Sequence, residues 1–234
     1  MAESLSIVIP TLNEAANIGA CLKALSPLRQ QGTEIIIADG GSTDATVAQA
    51  EAGADKVVIS KAGRARQMNA GAREARGAWL LFLHADTRLP ENMPDVMTAW
   101  AFSHSDWGFF FVRLDSPRWA FRIVEQMMNW RSYYSRIATG DQCLFMKREL
   151  FESLGGYADI ALMEDIELSK RLKRTGRPIV ALAKATTSAR KWEQEGVMKT
   201  IALMWCLRLG YFFGADPNRL ASRYYRTGSS AKRF

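Results

Sequence analysis

With 234 residues, 48% of them hydrophobic, the chain is long enough for one large domain with a substantial core, and its composition is not that of a disordered protein. Its formal charge of +7 suits an anionic partner such as a nucleotide, a nucleic acid or a phospholipid surface, and selects none of them. Cys21, Cys143 and Cys206 are widely scattered and only two histidines are present, which argues against a structural zinc site and for three reduced thiols.

The opening MAESLSIVIP has no basic stretch ahead of a long apolar run, so no leader peptide is read there. No window reaches the roughly 18 apolar residues of a membrane span. The nearest, TIALMWCLRLGYFF at 200–213, is too short and contains Arg208. These absent signals predict a cytoplasmic protein without a transmembrane segment.

The first half alternates strand-like and helix-like segments. Residues 6–10 (SIVIP), 34–38 (EIIIA), 56–60 (KVVIS) and 78–83 (AWLLFL) read as strands. Between them, a helix begins at Asn13 with Ile18, Cys21, Leu22 and Leu25 on one face. Ser42 or Thr43 caps a second helix running to about Ala52, and residues 65–76 form a third. Apolar strands without alternation, joined by helices, predict a parallel sheet covered on both faces. The second half is less regular: strands at 107–114, 142–146 and 179–183, and helices at 119–137, 164–175 and 197 to about 213. The tail at 227–234 is small, polar and basic, and is expected to fray.

Ligands of such sheets bind beyond the carboxyl ends of the strands. Those ends carry Thr11-Leu12-Asn13-Glu14, Asp39-Gly40-Gly41-Ser42 and His84-Ala85-Asp86, so polar and acidic groups collect along one edge. The glycines after Asp39 allow a sharp turn and a close approach to a ligand, and Asp39 can accept from a base N–H or a ribose hydroxyl. A plain capped turn explains the same residues equally well. Asp86 can bind a divalent cation that bridges a diphosphate, with His84 as a further ligand, a phosphate contact or a packed ring. Glu164-Asp165 opens a helix, where acids are favoured electrostatically, and also follows a Gly155-Gly156-Tyr157 loop that can face a cleft. Arg64 and Arg66 beside a helix start, and Arg190-Lys191-Trp192, can meet phosphate or water alike. The helix after Val197 can dock on the sheet or on a second subunit, the favoured readings, or rest on a membrane surface.

In order and spacing, these segments resemble the family 2 glycosyltransferases, and in particular a small soluble bacterial branch with a His-Ala-Asp-Thr strand end. The resemblance runs from about Ser4 to Trp192 through Ile9-Pro10-Thr11-Leu12-Asn13-Glu14, Asp39-Gly40-Gly41-Ser42-Thr43-Asp44, Gln67-Met68-Asn69-Ala70-Gly71, Phe82-Leu83-His84-Ala85-Asp86-Thr87, Gly140-Asp141-Gln142-Cys143, Gly155-Gly156-Tyr157 and Glu164-Asp165. It implies an α/β GT-A (Rossmann-like) fold, with a mostly parallel central sheet flanked by helices. A GT-A domain over 1–192 would be followed by a helical extension over 193–234, packed on the domain or on a partner. It also implies a nucleotide-sugar donor and an acceptor that the sequence does not identify. Pro10, Thr11 and Glu14 would border the nucleoside, and Asp39 beside Gly40 would bind the base, usually uracil. Arg66 and Asn69 would lie on the nucleotide side, and Arg190 with Trp192 would close over the diphosphate.

Asp86 would sit on the side of a Mg²⁺ or Mn²⁺ ion, with His84 where the family's Asp-x-Asp motif has its first acid. Asp165, with Glu164 beside it, would be the general base of an inverting displacement. The chain departs from the family at His84 and in the Ala189-Arg190-Lys191-Trp192 segment, which does not reproduce Gln-x-x-Arg-Trp. Two other readings use the same parts: a sugar-1-phosphate nucleotidyltransferase, whose Gly-rich N-terminal loop is missing here, and a non-catalytic nucleotide-binding protein. The dispersed basic residues argue against a nucleic-acid partner, and the apolar C-terminal helix leaves room for a homodimer.

Overall fold

The four apolar segments of the first half become strands β1 (Leu5–Thr11), β2 (Glu34–Asp39), β3 (Lys56–Ile59) and β4 (Trp79–Phe82), joined by helices α1 (Ala15–Gln30), α2 (Thr46–Glu51) and α3 (Arg64–Arg73). The computed structural model describes residues 4–227, so the tail beyond Thr227 lies outside the described residues. Strand periodicity divides the side chains between two layers. Ile7, Ile9, Ile35 and Ile37 point to one face, against Ile18, Cys21, Leu22 and Leu25 of α1. Val8, Ile36 and Ala38 point to the other, against Ala65, Met68 and Ala72 of α3. Both faces are therefore dry, which is why these strands read as unbroken apolar runs.

The second half adds β5 (Thr87–Arg88), α4 (Met93–Ala101), β6 (Trp107–Asp115), α5 (Trp119–Ser135), a 3₁₀ turn (Gly140–Gln142), β7 (Phe145–Lys147), α6 (Arg148–Ser153), α7 (Glu164–Thr175), β8 (Ile179–Ser188), α8 (Arg190–Glu195), α9 (Val197–Phe212) and α10 (Pro217–Thr227). The eight strands form one sheet in the order β3-β2-β1-β4-β7-β6-β8-β5. Neighbours in the β3-β2-β1-β4 half are parallel, as is the β6–β8 pair. Strand β7 runs antiparallel to both β4 and β6, and β5 antiparallel to β8, so the sheet is mixed rather than purely parallel. The strand expected at 142–146 is shorter and later, because Gly140–Gln142 is taken up by the 3₁₀ turn. Stacking of Trp100 from α4 on Phe145 of β7, with centroids 3.8 Å apart, covers the antiparallel section.

Two helix boundaries shift for local reasons. Asn13 does not start α1: it takes a left-handed conformation at φ 53°, one that asparagine tolerates better than most residues. Ser42 and Thr43 do not cap α2, which starts at Thr46, because Ser42 is drawn into the turn held by Asp39. At the far end of the chain, Leu203, Leu207, Leu220 and Ala221 of α9 and α10 share an apolar cluster with Leu162, Met163 and Ile166. Cys21 and Cys143 are buried and Cys206 is exposed; all three are free, and burial pushes the Cys21 thiol up to about 12.

Helix α3 lies close on β1 because residue 71 is glycine: a Cβ there would stand 2.4 Å from Cγ1 of the fully buried Val8. Gly71→Ala should therefore cost about 1–3 kcal/mol by overpacking. The check is a lower urea midpoint at an unchanged m value.

Candidate active site

Two loops at the carboxyl edge of the sheet are stapled together. The Asp39 carboxylate, fully buried at the end of β2, accepts from the N–H groups of Gly41 (2.9 Å) and Ser42 (2.7 Å) and from the hydroxyls of Ser42 (2.5 Å) and Thr11 (3.0 Å). Asn13 ties the β1 loop to this turn: its N–H donates to Ser42 Oγ at 2.8 Å and its Oδ1 accepts from the Thr43 N–H at 2.9 Å. Thr46 Oγ1 accepts from the Glu14 N–H at 2.8 Å, and Gln67 Nε2 donates to the carbonyls of Thr11 and Ala38. Pro10, Thr11 and Glu14 are thereby held at the rim of a cleft of about 320 Å³.

The opposite wall is built around Asp165. Its Oδ2 accepts from the Gly140 N–H at 2.7 Å, which ties the first turn of α7 to the 3₁₀ turn. Gly140 also lies flat on His84, where a Cβ would stand 2.6 Å from the imidazole Cε1. Asp141 places an oxygen 3.7 Å from His84 Nδ1. The turn is fixed from behind by Gln142, whose Oε1 accepts from the Ser132 hydroxyl at 2.6 Å. Met163, just ahead of Glu164, is held at φ 71°, a costly backbone state of the kind that gathers at functional sites.

The electrostatics divide the charged groups. Burial, then the neighbouring Asp165, raises the Glu164 carboxyl from 4.5 to about 7 against the opposing pull of Arg64. Burial, then the Arg64 charge, lowers His84 below its ordinary value, with Asp141, Asp86 and Asp165 opposing, which favours the neutral imidazole. For Arg64 burial disfavours the charge, but its surroundings, the Glu164 and Asp141 carboxylates among them, more than offset it, so the guanidinium stays charged and above its ordinary value. Arg131 of α5 is lowered by burial against the carboxylates of Asp165 and Asp141; it donates to Ser132 Oγ at 2.9 Å. Arg64 and Arg131, with Arg208 of α9, thus share one cleft with the carboxylates of Asp86, Asp141, Glu164 and Asp165.

Of the residues predicted from sequence, Pro10, Thr11, Glu14, His84, Asp86, Glu164, Asp165 and Trp192 line this cleft. Asp39, Gly40, Arg66, Asn69 and Arg190 stand outside it, each for a visible reason. Asp39 is spent on its own turn, directly behind Thr11. Gly40 is backed by the Gln67 side chain. Arg66 is exposed and its Nε donates to Asp159 at 2.7 Å. Asn69 clamps Tyr157 through both backbone groups, at 2.8 and 2.9 Å. Arg190 is exposed at the start of α8. Sequence reasoning weighed Arg64 only alongside Arg66 and gave no role to Arg131 or Asp141. Arg131 was legible as the last member of the Val124, Met127, Met128 face of α5, and Asp141 as the one acid of the Gly-Asp-Gln turn.

A mixed, mostly parallel sheet with an acidic cleft at the carboxyl ends of its strands defines an α/β domain of the GT-A kind. The profile of Glycosyl transferase family 2 matches residues 6–154, and the chain belongs to that family. Over 165 residues it is 34% identical to a PGL/p-HBAD biosynthesis glycosyltransferase of Mycobacterium bovis, an alignment covering 65% of this chain and 62% of that relative. The chain thus spans less than two thirds of the relative's length. Among solved structures it is similar to S. aureus TarS 1-349 in complex with UDP-GlcNAc (TM-score 0.64, 19% identity, 79% of this chain and 58% of that one). It is also similar to the mannosyltransferase PcManGT from Pyrobaculum calidifontis in complex with GDP-Man and Mn²⁺ (TM-score 0.64, 16% identity, 97% and 70%). A third likeness is to glucosyl-3-phosphoglycerate synthase from Mycobacterium tuberculosis in complex with Mn²⁺, UDP and phosphoglyceric acid (TM-score 0.63, 20% identity, 91% and 79%). At these identities the likeness to solved structures is one of fold.

The raised Glu164 carboxyl makes stability depend on pH. The native state holds this proton more tightly than the unfolded chain, so between 4.5 and about 7 it binds more protons. Stability should therefore fall as pH rises through that window, by on the order of 3 kcal/mol for this group. Glu164→Gln should remove that part of the slope and be the more stable protein at pH 8. Urea unfolding of both proteins at pH 5 and pH 8 measures it; parallel slopes would remove Glu164 as the group responsible.

Proposed function

We propose that the chain transfers a glycosyl group from a nucleoside-diphosphate sugar, with UDP as the nucleotide, to an acceptor hydroxyl. The observation that carries this reading is that one cleft collects the stapled β1 loop, the Asp86 carboxylate, three arginines (Arg64, Arg131 and Arg208) and the Glu164–Asp165 pair. Membership of a glycosyltransferase family and the GT-A fold support it.

In this reading Pro10, Thr11 and Glu14 border the nucleoside, and Asp39 acts by holding the turn behind Thr11. Arg64 and Arg131 carry the charges that face the diphosphate, in place of the more distant Arg66 and Arg190, and Trp192 covers it. Asn69 contributes by fixing the Tyr157 loop. The donor set also fits a divalent cation. Asp86 is an exposed carboxylate on the cleft, and His84 is an imidazole biased to its neutral form. No group of three His, Cys, Asp or Glu ligands occurs among the described residues, so most of the coordination would come from diphosphate oxygens. Bound there with His84 and Asp86, Mg²⁺ or Mn²⁺ supplies positive charge against the leaving diphosphate.

Asp165 is the general base. Each of its oxygens accepts one backbone N–H, from Gly140 and from Ile166, both at 2.7 Å, which fixes the carboxylate and leaves lone pairs for an acceptor hydroxyl. As the acceptor oxygen bonds to the anomeric carbon, the bond from that carbon to the diphosphate oxygen breaks. The hydroxyl proton passes to Asp165, and a single displacement inverts the anomeric centre. Arg64 and Arg131 offset the charge that develops on the departing diphosphate.

Calorimetric titration with UDP tests the donor half: binding should strengthen with Mn²⁺, and Asp86→Ala should abolish that gain. Absence of UDP binding with and without Mn²⁺ would rule out UDP as the nucleotide. Asp165→Asn should keep UDP affinity within about threefold while lowering turnover of a UDP-sugar by about 10²–10⁴. Near-normal turnover in that variant would remove Asp165 as the base.

A further inference from the structure

Helix α5 displays Trp119, Ile123, Met127, Trp130 and Tyr134 to solvent, each between 48% and 78% exposed. Their spacing of four, four, three and four residues puts them on one helix face. Helix α9 repeats the pattern with Met198, Trp205, Leu209 and Phe212, each at least 49% exposed. The buried sides of these helices meet, since Phe121, Val124 and Met128 share an apolar cluster with Val197 and Ile201. Met127 and Trp205 belong to the stripes and also line the cleft, so the exposed apolar surface continues into its mouth. Surface leucines and tryptophans scattered singly need no partner, but two stripes running to one opening do.

The charges beside the stripes choose the partner. Helices α5 and α9, with the residue before α5, expose Arg118 and Lys199, while Arg122 is paired with Glu125 and Arg131 and Arg208 line the cleft. Their one acid, Glu125, is 4% exposed; it accepts from the Leu114 N–H at 2.6 Å and pairs with Arg122 at 2.8 Å. A second copy apposed through this face would set basic residue against basic residue. An anionic bilayer complements both features, taking the tryptophan and phenylalanine rings at head-group depth and the lysine and arginine charges at the lipid phosphates. No helix among the described residues is long and apolar enough to cross a membrane, so contact by these helices is interfacial. We propose that the exposed faces of α5 and α9 dock the protein on an anionic bilayer surface, with the mouth of the cleft against the head groups.

The test is co-sedimentation of the full chain, without nucleotide, with vesicles of phosphatidylcholine alone or containing about a third phosphatidylglycerol. The expected result is at least about tenfold stronger binding to the anionic vesicles, weakened by high salt. Trp119→Ser with Phe212→Ser should lower it about tenfold, as should Arg118→Glu with Lys199→Glu. All four positions are exposed, and unchanged melting and UDP titration would show that each variant is folded with its cleft intact. Absence of vesicle binding, or binding by both double variants equal to that of the unchanged chain, overturns the proposal. So does a dimer in light scattering that the apolar double variant dissociates while vesicles go unbound, which would make a second copy the partner. Because the vesicle assay contains no donor, its failure would leave the transferase reading standing, and failure of UDP binding would leave the docking result standing.

Discussion

The backbone N–H of Gly140 donating to Asp165 joins the 3₁₀ turn after α5 to the first turn of α7, beside the hydrogen bonds that Ser169 makes with Ala138. Because Gly140 also lies on His84, the end of β4 is drawn into the same contact. The bond orients a carboxylate at the cleft, next to the point where the β4–β7 pairing joins the two halves of the sheet. The left-handed Met163 immediately before α7 is the backbone cost of bringing Glu164 and Asp165 to that position.

The parallel half of the fold is legible in the sequence because both strand faces are buried there. Unbroken runs such as EIIIA cannot be half-solvated strands, and the polar residues that end them must lie along one edge. What the pattern does not reveal is how each edge residue is used. Asp39 reads as a ligand contact because it ends a strand, and Asn69 because the family resemblance runs through its segment, and each also closes a loop with its own hydrogen bonds. Backbone groups left open by a sharp turn are as good a destination for a carboxylate or an amide as any ligand.

The second half hides its site for a different reason. Arg131 sits among the aromatic and methionine residues of α5, and its cleft-facing position depends on the packing of that helix against Leu114 and Ala189. Asp141 depends on a turn only three residues long. Strand β7 contributes three residues between two antiparallel neighbours, too few to show a period. Periodicity reports local structure over ten or more residues, so a site assembled from short turns and single helix faces leaves little trace in it. The same holds for the α9 stripe. Apolar residues of that helix are divided between the cluster shared with α7 and α10, the cluster shared with α5 and the open face, so the sequence alone gives it no orientation.

The charges of the cleft make a last connection between fold and chemistry. Arg64 and Arg131 are drawn out of water by the same packing that raises Glu164 and lowers His84. With Asp141 and Glu164 beside Arg64, and Asp165 and Asp141 beside Arg131, each cation already has anionic neighbours before any ligand arrives. In the proposed reading, a diphosphate entering between them would bring further negative charge toward those carboxylates, and the response of least cost would be for Glu164, already raised by burial, to hold its proton. The two adjacent acids differ in their depth in the fold: Glu164 is buried, and Asp165 is held at the cleft by the backbone N–H groups of Gly140 and Ile166.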